Sequence, residues 1–398
     1  MNETKTGTFS RSLPVFVGVA IAIAGFLFLD FLSNRPSRIS GASGISAFEI
    51  LEPVEAAAVI GINLSMAAAG LFLKPPARQK ILLLLSCLSL FLYVFLAGRG
   101  AERVVADLPL ARVFPSTSAW LGILGSAVVF STESSTLPDR FFKSALSGLL
   151  LCALAALVFY GQLDGLSVMR EYANRSGRFW QEGASHIFLS ASAVGAAIII
   201  GVPLGFAAFS RNRLEKGVFA ITNSLQTIPS LALFGLLISP LAWLSRTYPF
   251  LASLGVRGIG STPALIALCI YALLPVVRNT YTAFKIIDPA VIDAGKGMGM
   301  NRLQLFFTVE LPVALPVILG GIRIAGVQTV GNTVVAALIG AGGFGQFIFQ
   351  GLGEAAPDLI LLGAISTVLL ALAADGLLGA LTEIARPGSR RRQEVARP

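Results

Sequence analysis

Gly340-Ala341-Gly342-Gly343-Phe344-Gly345 satisfies the spacing G-x-G-x-x-G to the letter. In a dinucleotide-binding fold that spacing lets backbone N–H groups approach a pyrophosphate, but it needs a strand before it and a helix N-terminus after it. Here a long apolar run precedes it. The expectation is therefore a tight turn or re-entrant stretch near a solute path, or a plain extracellular turn, because irregular backbone survives at membrane depth only where protein or water shields it. No G-x-x-x-x-G-K-[ST] occurs, and Gly295-Lys296-Gly297 lacks both the Ser/Thr and the upstream glycine. ATP hydrolysis by a P-loop mechanism is thus excluded for this chain. The single histidine, His186, opens an apolar run and reads as a polar residue at a helix end. Cys87, Cys152 and Cys269 all sit in apolar runs, which argues against disulfides and zinc. No catalytic residue and no metal site is expected.

Three charges lie inside apolar runs: Arg278, Arg323 and Asp375. A charge at mid-bilayer is costly and should face protein or water. Arg278, nearer a helix end, reads as snorkelling. Arg323 either lines a path or pairs with Asp375. An arginine on a path holds a carboxylate and repels a cationic headgroup. Tyr271, Tyr281 and Phe234 are the aromatic residues near spans that a cage for an organic cation would need, although packing and lipid contact are the commoner uses of such residues. Gly320, Gly321, Gly326 and Gly331 share one apolar run at spacings that favour close helix contact, within the chain or with a second copy.

These residues must be positioned by membrane helices. The chain has 398 residues, of which 55% are hydrophobic and 13% charged, against about 25% charged in soluble domains. Apolar runs of spanning length fall at about 13–33, 54–73, 80–97, 118–132, 141–160, 186–209, 217–238, 262–284, 311–338 and 357–383. The fourth is short; losing it would invert everything before residue 131. The first is too long for a signal-peptide core and reads as a retained anchor. The fold class expected is all-α, a polytopic membrane protein of about ten spans. The net charge of +9 then reads as a positive-inside bias rather than as nucleic-acid binding. With both termini cytoplasmic, all seven lysines and the tail cluster Arg390, Arg391 and Arg392 fall inside. Arg35, Arg38, Arg99, Arg103, Arg112, Arg170, Arg175, Arg178, Arg246 and Arg257 remain outside.

One polar stretch interrupts the later runs: residues 288–312, DPAVIDAGKGMGMNRLQLFFTVELP. Asp288 is a good N-cap and Pro289 suits the first helical position. Val291, Ala294 and Met298 give a short helix a small apolar face, and Gly299 supplies the positive φ that ends it. Asn301 caps a second short helix running through Leu305 and Phe306 into Pro312. The result is a helix–turn–helix knob at a membrane surface. In residues 225–233, LQTIPSLAL, Pro229 bends a span and frees a carbonyl that Thr227 or Ser230 could satisfy.

The 288–312 stretch resembles the EAA loop of bacterial ABC importer permeases. Asp293, Ala294 and Gly295 take the E-A-A places, Gly299 the glycine, Val309 the isoleucine, and Leu311 and Pro312 the L-P, without gaps. The departures are Glu→Asp, Ala→Gly and Ile→Val; Gly295 and Gly297 should each loosen the helix by roughly 1 kcal/mol. Residues 225–233 and 311–352 resemble the osmoprotectant permeases, importers of glycine betaine, choline, carnitine and related compounds. The resemblance implies a permease core of the MetI-like type over 161–398, and an accessory region of about five spans over 1–160 that looks like longer variants by length and hydropathy alone. It further implies an ATP-driven importer subunit in a bacterial inner membrane. Its partners would be a cytoplasmic ATPase holding ATP and Mg, a second permease chain, identical or not, and an extracytoplasmic binding protein. The coupling residues would be Asp293, Ala294, Gly295, Gly299, Val309, Leu311 and Pro312, and the path candidates Arg323, Pro229, Gln226 and Tyr271. Other small polar solutes, such as amino acids, remain open because the loop pattern is shared across importers. An ion-coupled secondary transporter is the rival class, with Asp375 as its one firm intramembrane acid.

Overall fold

A computed structural model describes residues 3–37 and 40–386, with side chains from residue 13 onward. Arg38 and the tail cluster Arg390–Arg392 lie outside the described residues. The chain forms two compact units, 1–174 and 175–398. The division falls later than the expected boundary near residue 161 because Leu163 and Leu166 are buried in the core of the first unit.

The first unit contains α1 (Glu3–Phe28), β1 (Asp30–Arg35), β2 (Ser43–Ser46), α2 (Ala47–Ile50), α3 (Pro53–Phe72), α4 (Ala77–Asp107), β3 (Arg112–Pro115), α5 (Thr117–Thr136), α6 (Arg140–Phe159) and α7 (Ser167–Asn174). Local rules explain several starts. Pro53 takes the first turn of α3, and Asp139 caps α6 by accepting from the Phe142 N–H at 3.0 Å. Glycines let helices touch: a Cβ on Gly125 would sit 2.2 Å from the Gly18 carbonyl oxygen, so α1 and α5 meet backbone to backbone. Phe26, Phe31 and Tyr93 pack their rings within 6.4 Å of one another at the centre. A small antiparallel sheet of order β2-β1-β3 closes one end. Nothing in the sequence reading anticipated it, since DFLSNR, SGIS and RVFP carry too little period-2 hydrophobicity to announce strands.

The second unit contains α8 (Ser176–Ser210), α9 (Asn212–Thr227), α10 (Ser230–Thr247), α11 (Pro249–Ser253), α12 (Ser261–Lys285), α13 (Pro289–Gly297), α14 (Arg302–Leu305), a π-turn Phe306–Glu310, α15 (Leu311–Ala336), α16 (Gly345–Gly353) and α17 (Pro357–Ile384). Its centre is the trio α8, α12 and α15, packed through Ala197, Ala272, Val276, Ile318 and Ala325. Gly321 allows α15 to approach Asn279 and the Pro275 carbonyl of α12, and Gly326 faces Leu378 of α17. Gly320 and Gly331 face open space instead. The four glycines of this run therefore divide between internal packing and an unfilled face.

Among the described residues eight helices are long and apolar enough to cross a membrane, and the apolar part of α1, Leu13–Phe28, is shorter. The expected run at 217–238 is displaced. The helix breaks at Ile228-Pro229, and the apolar crossing is Ser230–Thr247. Proline removes an N–H and drives the preceding residue to extended backbone; Ile228 has φ −72° and ψ 125°. The polar residues 165–185 do not form one helix. They split between α7 and the first turns of α8.

Candidate functional site

The knob at 288–312 forms as its residue types require. The Asp288 carboxylate accepts from the Ala290 N–H at 2.9 Å, and Pro289 opens α13. Gly299 has φ +80°, and its N–H reaches the Lys296 carbonyl at 2.9 Å to stop the helix. Asn301 and Gln304 form a reciprocal capping box, two bonds of 2.9 Å, that starts α14. The chain then passes through the π-turn directly into α15, with Leu311 and Pro312 as its first residues. Extra-residue turns of this kind concentrate at functional positions.

Packing decides which face is free. Gly295 is buried, and a Cβ there would lie 2.6 Å from Leu305 Cδ1 and 3.9 Å from Val309 Cγ2. The glycine thus gives up helix propensity and admits the buried Leu305 side chain. Ile292 joins the core with Phe306 and Leu311. The expected apolar face of α13 points the other way: Val291, Ala294 and Met298 are all exposed, Met298 at 71%. Leu303 and Phe307 are exposed as well. Asp293 and Lys296 sit on this outer side, 3.3 Å apart and both solvated.

Beneath the knob lies a feature that the sequence reading missed. Phe306 stacks on Phe284 of α12, with ring centroids 5.9 Å apart, and meets Phe206 of α8 edge-on at 5.3 Å. Phe209 also stacks on Phe284, at 5.7 Å. Four rings thus tie the π-turn to the two central helices. The available signal was the phenylalanine at each helix end that abuts the polar stretch.

Three of the four path candidates converge. The Gln226 side chain donates to the Tyr271 carbonyl at 2.8 Å, and the Tyr271 hydroxyl donates to the Ile228 carbonyl beside Pro229. Tyr271 thereby satisfies one of the carbonyls exposed by the helix break. The Thr227 hydroxyl donates to another, the Ser224 carbonyl in the last turn of α9, at 2.7 Å, as expected of it. Arg323 is not among their contacts. Its guanidinium binds the Asp375 carboxylate with two bonds of 2.6 Å, joining α15 to α17. Phe234 is fully buried near Tyr271, while Tyr281 packs on Phe219 and donates to Glu215. Tyr281 thus lies apart from the cluster that Phe234 and Tyr271 share.

The glycine run at 340–345 follows a helix and a 3-10 turn rather than a strand, which removes the dinucleotide reading. Its backbone donors are held by side chains of α8. The Gly343 N–H reaches Glu182 at 2.8 Å, and the Phe344 N–H reaches His186 Nδ1 at 3.2 Å. His186 Nε2 then donates to the Val330 carbonyl at 2.9 Å. His186 is therefore not at a helix end; it is buried ten residues inside α8 as the clasp between this loop and α15. Among the described residues no group of three His, Cys, Asp or Glu is placed to hold a metal ion.

Residues 197–384 match the family model described as the inner membrane component of binding-protein-dependent transport systems. Residues 10–169 match that of the N-terminal domain of the ABC transporter permease YehY. The osmoprotectant import permease OsmW of Salmonella typhimurium is 43% identical over 202 residues, covering 51% of this chain and 89% of the relative. The glycine betaine/carnitine/choline permease OpuCD of Bacillus subtilis is 38% identical over 217 residues, covering 54% of this chain and 88% of the relative. Among solved structures, a chain of the inward-facing MetNI methionine transporter is 23% identical with a TM-score of 0.41, covering 52% of this chain and 94% of that one.

Proposed function

The chain belongs to the osmoprotectant permeases of the binding-protein-dependent transport family, and from that membership we propose the substrate, partners and coupling that follow. It forms the membrane path of an ATP-driven importer of small osmoprotectants, quaternary amines such as glycine betaine, choline or carnitine. It works as a multi-pass protein of a bacterial inner membrane, with both termini cytoplasmic. A separate cytoplasmic ATPase holds ATP and Mg, a second permease chain completes the path, and an extracytoplasmic binding protein delivers the solute.

The observation that carries this reading is the knob: apolar side chains left uncovered on a capped helical foot that continues without a break into α15. Val291, Met298, Leu303 and Phe307 dock in a groove of the ATPase, as short helices with apolar anchors do. Movement of the ATPase pair displaces α13 and α14. The rings of Phe306, Phe284, Phe206 and Phe209 pass that displacement to α8 and α12, and the π-turn passes it to α15. A partner whose two nucleotide states bind the knob differently shifts the balance between inward-open and outward-open arrangements. The solute passes the break at Pro229, where Gln226 and Tyr271 meet. Arg323 stands apart from that break, held by Asp375 as half of an ion pair rather than as a free cation.

The test is reconstitution of the full chain with candidate ATPase and binding-protein partners, reading uptake of labelled glycine betaine. Met298→Asp with Phe307→Asp should remove the ATPase from the purified complex and stop uptake, while membrane insertion is kept. Uptake that persists after ATP depletion while an ion gradient remains would sink the proposal. So would labelling of a cysteine at position 296 from the extracytoplasmic side.

A further inference from the structure

Within the second unit, α9 meets the end of α12 at a corner rich in cations. Glu215 and Phe219, one turn apart on α9, both face Tyr281 of α12. The Tyr281 hydroxyl donates to Glu215 at 2.7 Å, and the Phe219 and Tyr281 rings meet edge-on at 5.2 Å. The same hydroxyl accepts from Lys285 at 2.8 Å. The acid of this corner is therefore occupied. Around it stand Arg211, Arg213 and Lys216 at the start of α9, and Arg278 one turn before Tyr281; all four are exposed. Among the described residues none of these four side chains makes an ion pair or a hydrogen bond. Arg211 and Arg213 also stand at the N-terminal end of the 16-residue α9, where the helix dipole favours an anion.

Depth and apolar surface say which anion. Arg278 precedes Lys285, the last residue of α12, by two turns, about 10 Å along a membrane-crossing helix. A soluble protein does not reach that level. A lipid phosphate does, met by an arginine whose stem lies along the helix while its head reaches the headgroup layer. The outer face of α9 adds Leu214 and Ile221, 40% and 63% exposed. Basic side chains beside apolar ones on one helix suit the boundary between headgroups and acyl chains. We propose that this corner binds an anionic phospholipid. Arg213, Lys216 and Arg278 hold its phosphodiester, and its acyl chains lie against Leu214 and Ile221. A zwitterionic choline lipid is disfavoured, because its ammonium group brings a like charge to the cluster. A soluble phosphoester lacks the acyl contacts. The inference needs α12 to cross the membrane and needs nothing about the solute carried.

The experiment uses the purified full chain in a neutral maltoside detergent, with no ATPase or binding protein added. Dioleoylphosphatidylglycerol or dioleoylphosphatidylcholine is titrated in, and native mass spectrometry reads the affinity for the first lipid bound. Phosphatidylglycerol should bind about tenfold or more tighter than phosphatidylcholine. Arg213→Gln with Arg278→Gln should erase that preference, a loss of about tenfold, as removal of charge-assisted hydrogen bonds predicts. Lysine at both positions should keep most of it. The melting temperature should not fall in either variant, because the charges removed have no partner in the chain. Equal binding of the two lipids by the wild-type chain would overturn the proposal. So would an undiminished preference in the glutamine variant, or full displacement of the lipid by an equal concentration of soluble glycerophosphoglycerol. If the glutamine variant kept its lipid preference but lost a co-purified ATPase, the corner would be a protein-docking face and the proposal would again fail. Failure of the transport reading is a separate result, absent ATP-driven uptake, which this assay does not involve.

Discussion

The turn at Gly299 offers the cleanest perturbation of the knob. Its φ is +80°, and an added Cβ would meet nothing within 4 Å. A substitution there is therefore felt through the backbone alone. Holding a non-glycine residue in the left-handed region costs roughly 1–2 kcal/mol, with a β-branched residue at the upper end. Asparagine tolerates the region far better. Gly297, two residues earlier, also has open space but ordinary helical backbone. Alanine there should gain up to ~1 kcal/mol of helix propensity. If the turn must be intact to dock, a cost of about 1.5 kcal/mol reduces the competent fraction about tenfold, and the apparent affinity for the ATPase falls by the same factor. Gly299→Val should then lower ATP-driven uptake about tenfold at limiting ATPase, with Gly299→Asn near wild type and Gly297→Ala unimpaired. Titration of the ATPase against permease in proteoliposomes reads this directly, and excess ATPase should restore much of the rate. The reasoning is refuted if valine and asparagine at 299 behave alike, or if Gly297→Ala does as much harm as Gly299→Val.

Three further outcomes are expected. Arg323→Leu or Asp375→Leu alone leaves a charge without its partner in a spanning helix, so each should lower the membrane-inserted yield, whereas the double substitution should recover it; equal yields for all three variants would contradict the pair's role. His186→Ala removes the acceptor of the Phe344 N–H, which should cost about 1–3 kcal/mol for the buried donor left unpaired, and should raise hydrogen exchange at 342–345 well above that of α12. Asp139, outside the spans, has its carboxyl held below the usual range by the Phe142 N–H first and then by Lys80. A carboxyl lowered in the folded state stabilises above its unfolded pKa, and the contribution is lost as pH falls through the folded value. Exchange at the Phe142 amide should therefore rise on acidification below the ordinary aspartate range, and Asp139→Asn should flatten that response.

The local signals of the knob were legible because each acts over a few residues: the Asp288 cap, the Asn301 cap and the glycine stop all form as their types demand. Which side of α13 is buried was not legible. Val291, Ala294 and Met298 have the helical spacing of a core face, yet Ile292 and Gly295 turn inward because Leu305 and Phe306 lie on that side. Periodicity reports that a face is apolar, not what covers it. His186 was misread because α8 begins ten residues upstream in a polar stretch where hydropathy does not rise. The pairing of Arg323 with Asp375 was among the sequence alternatives, and the structure selects it. The seventh crossing slid past Pro229 because Leu231–Trp243 continues the apolar character that hydropathy had placed before the proline.

The small sheet of the first unit has a mechanical corollary. β1 leaves α1, β2 leads through α2 to α3, and β3 spans the step from α4 to α5. The ends of four long helices are thus lashed by one set of backbone bonds, as a hoop holds staves. None of those helices is free to slide along its axis without breaking strand register. At the opposite ends the fastening passes to side chains: Lys80 at the start of α4 binds Asp139 at 3.1 Å, and Gln79 donates to Thr136 at 3.1 Å.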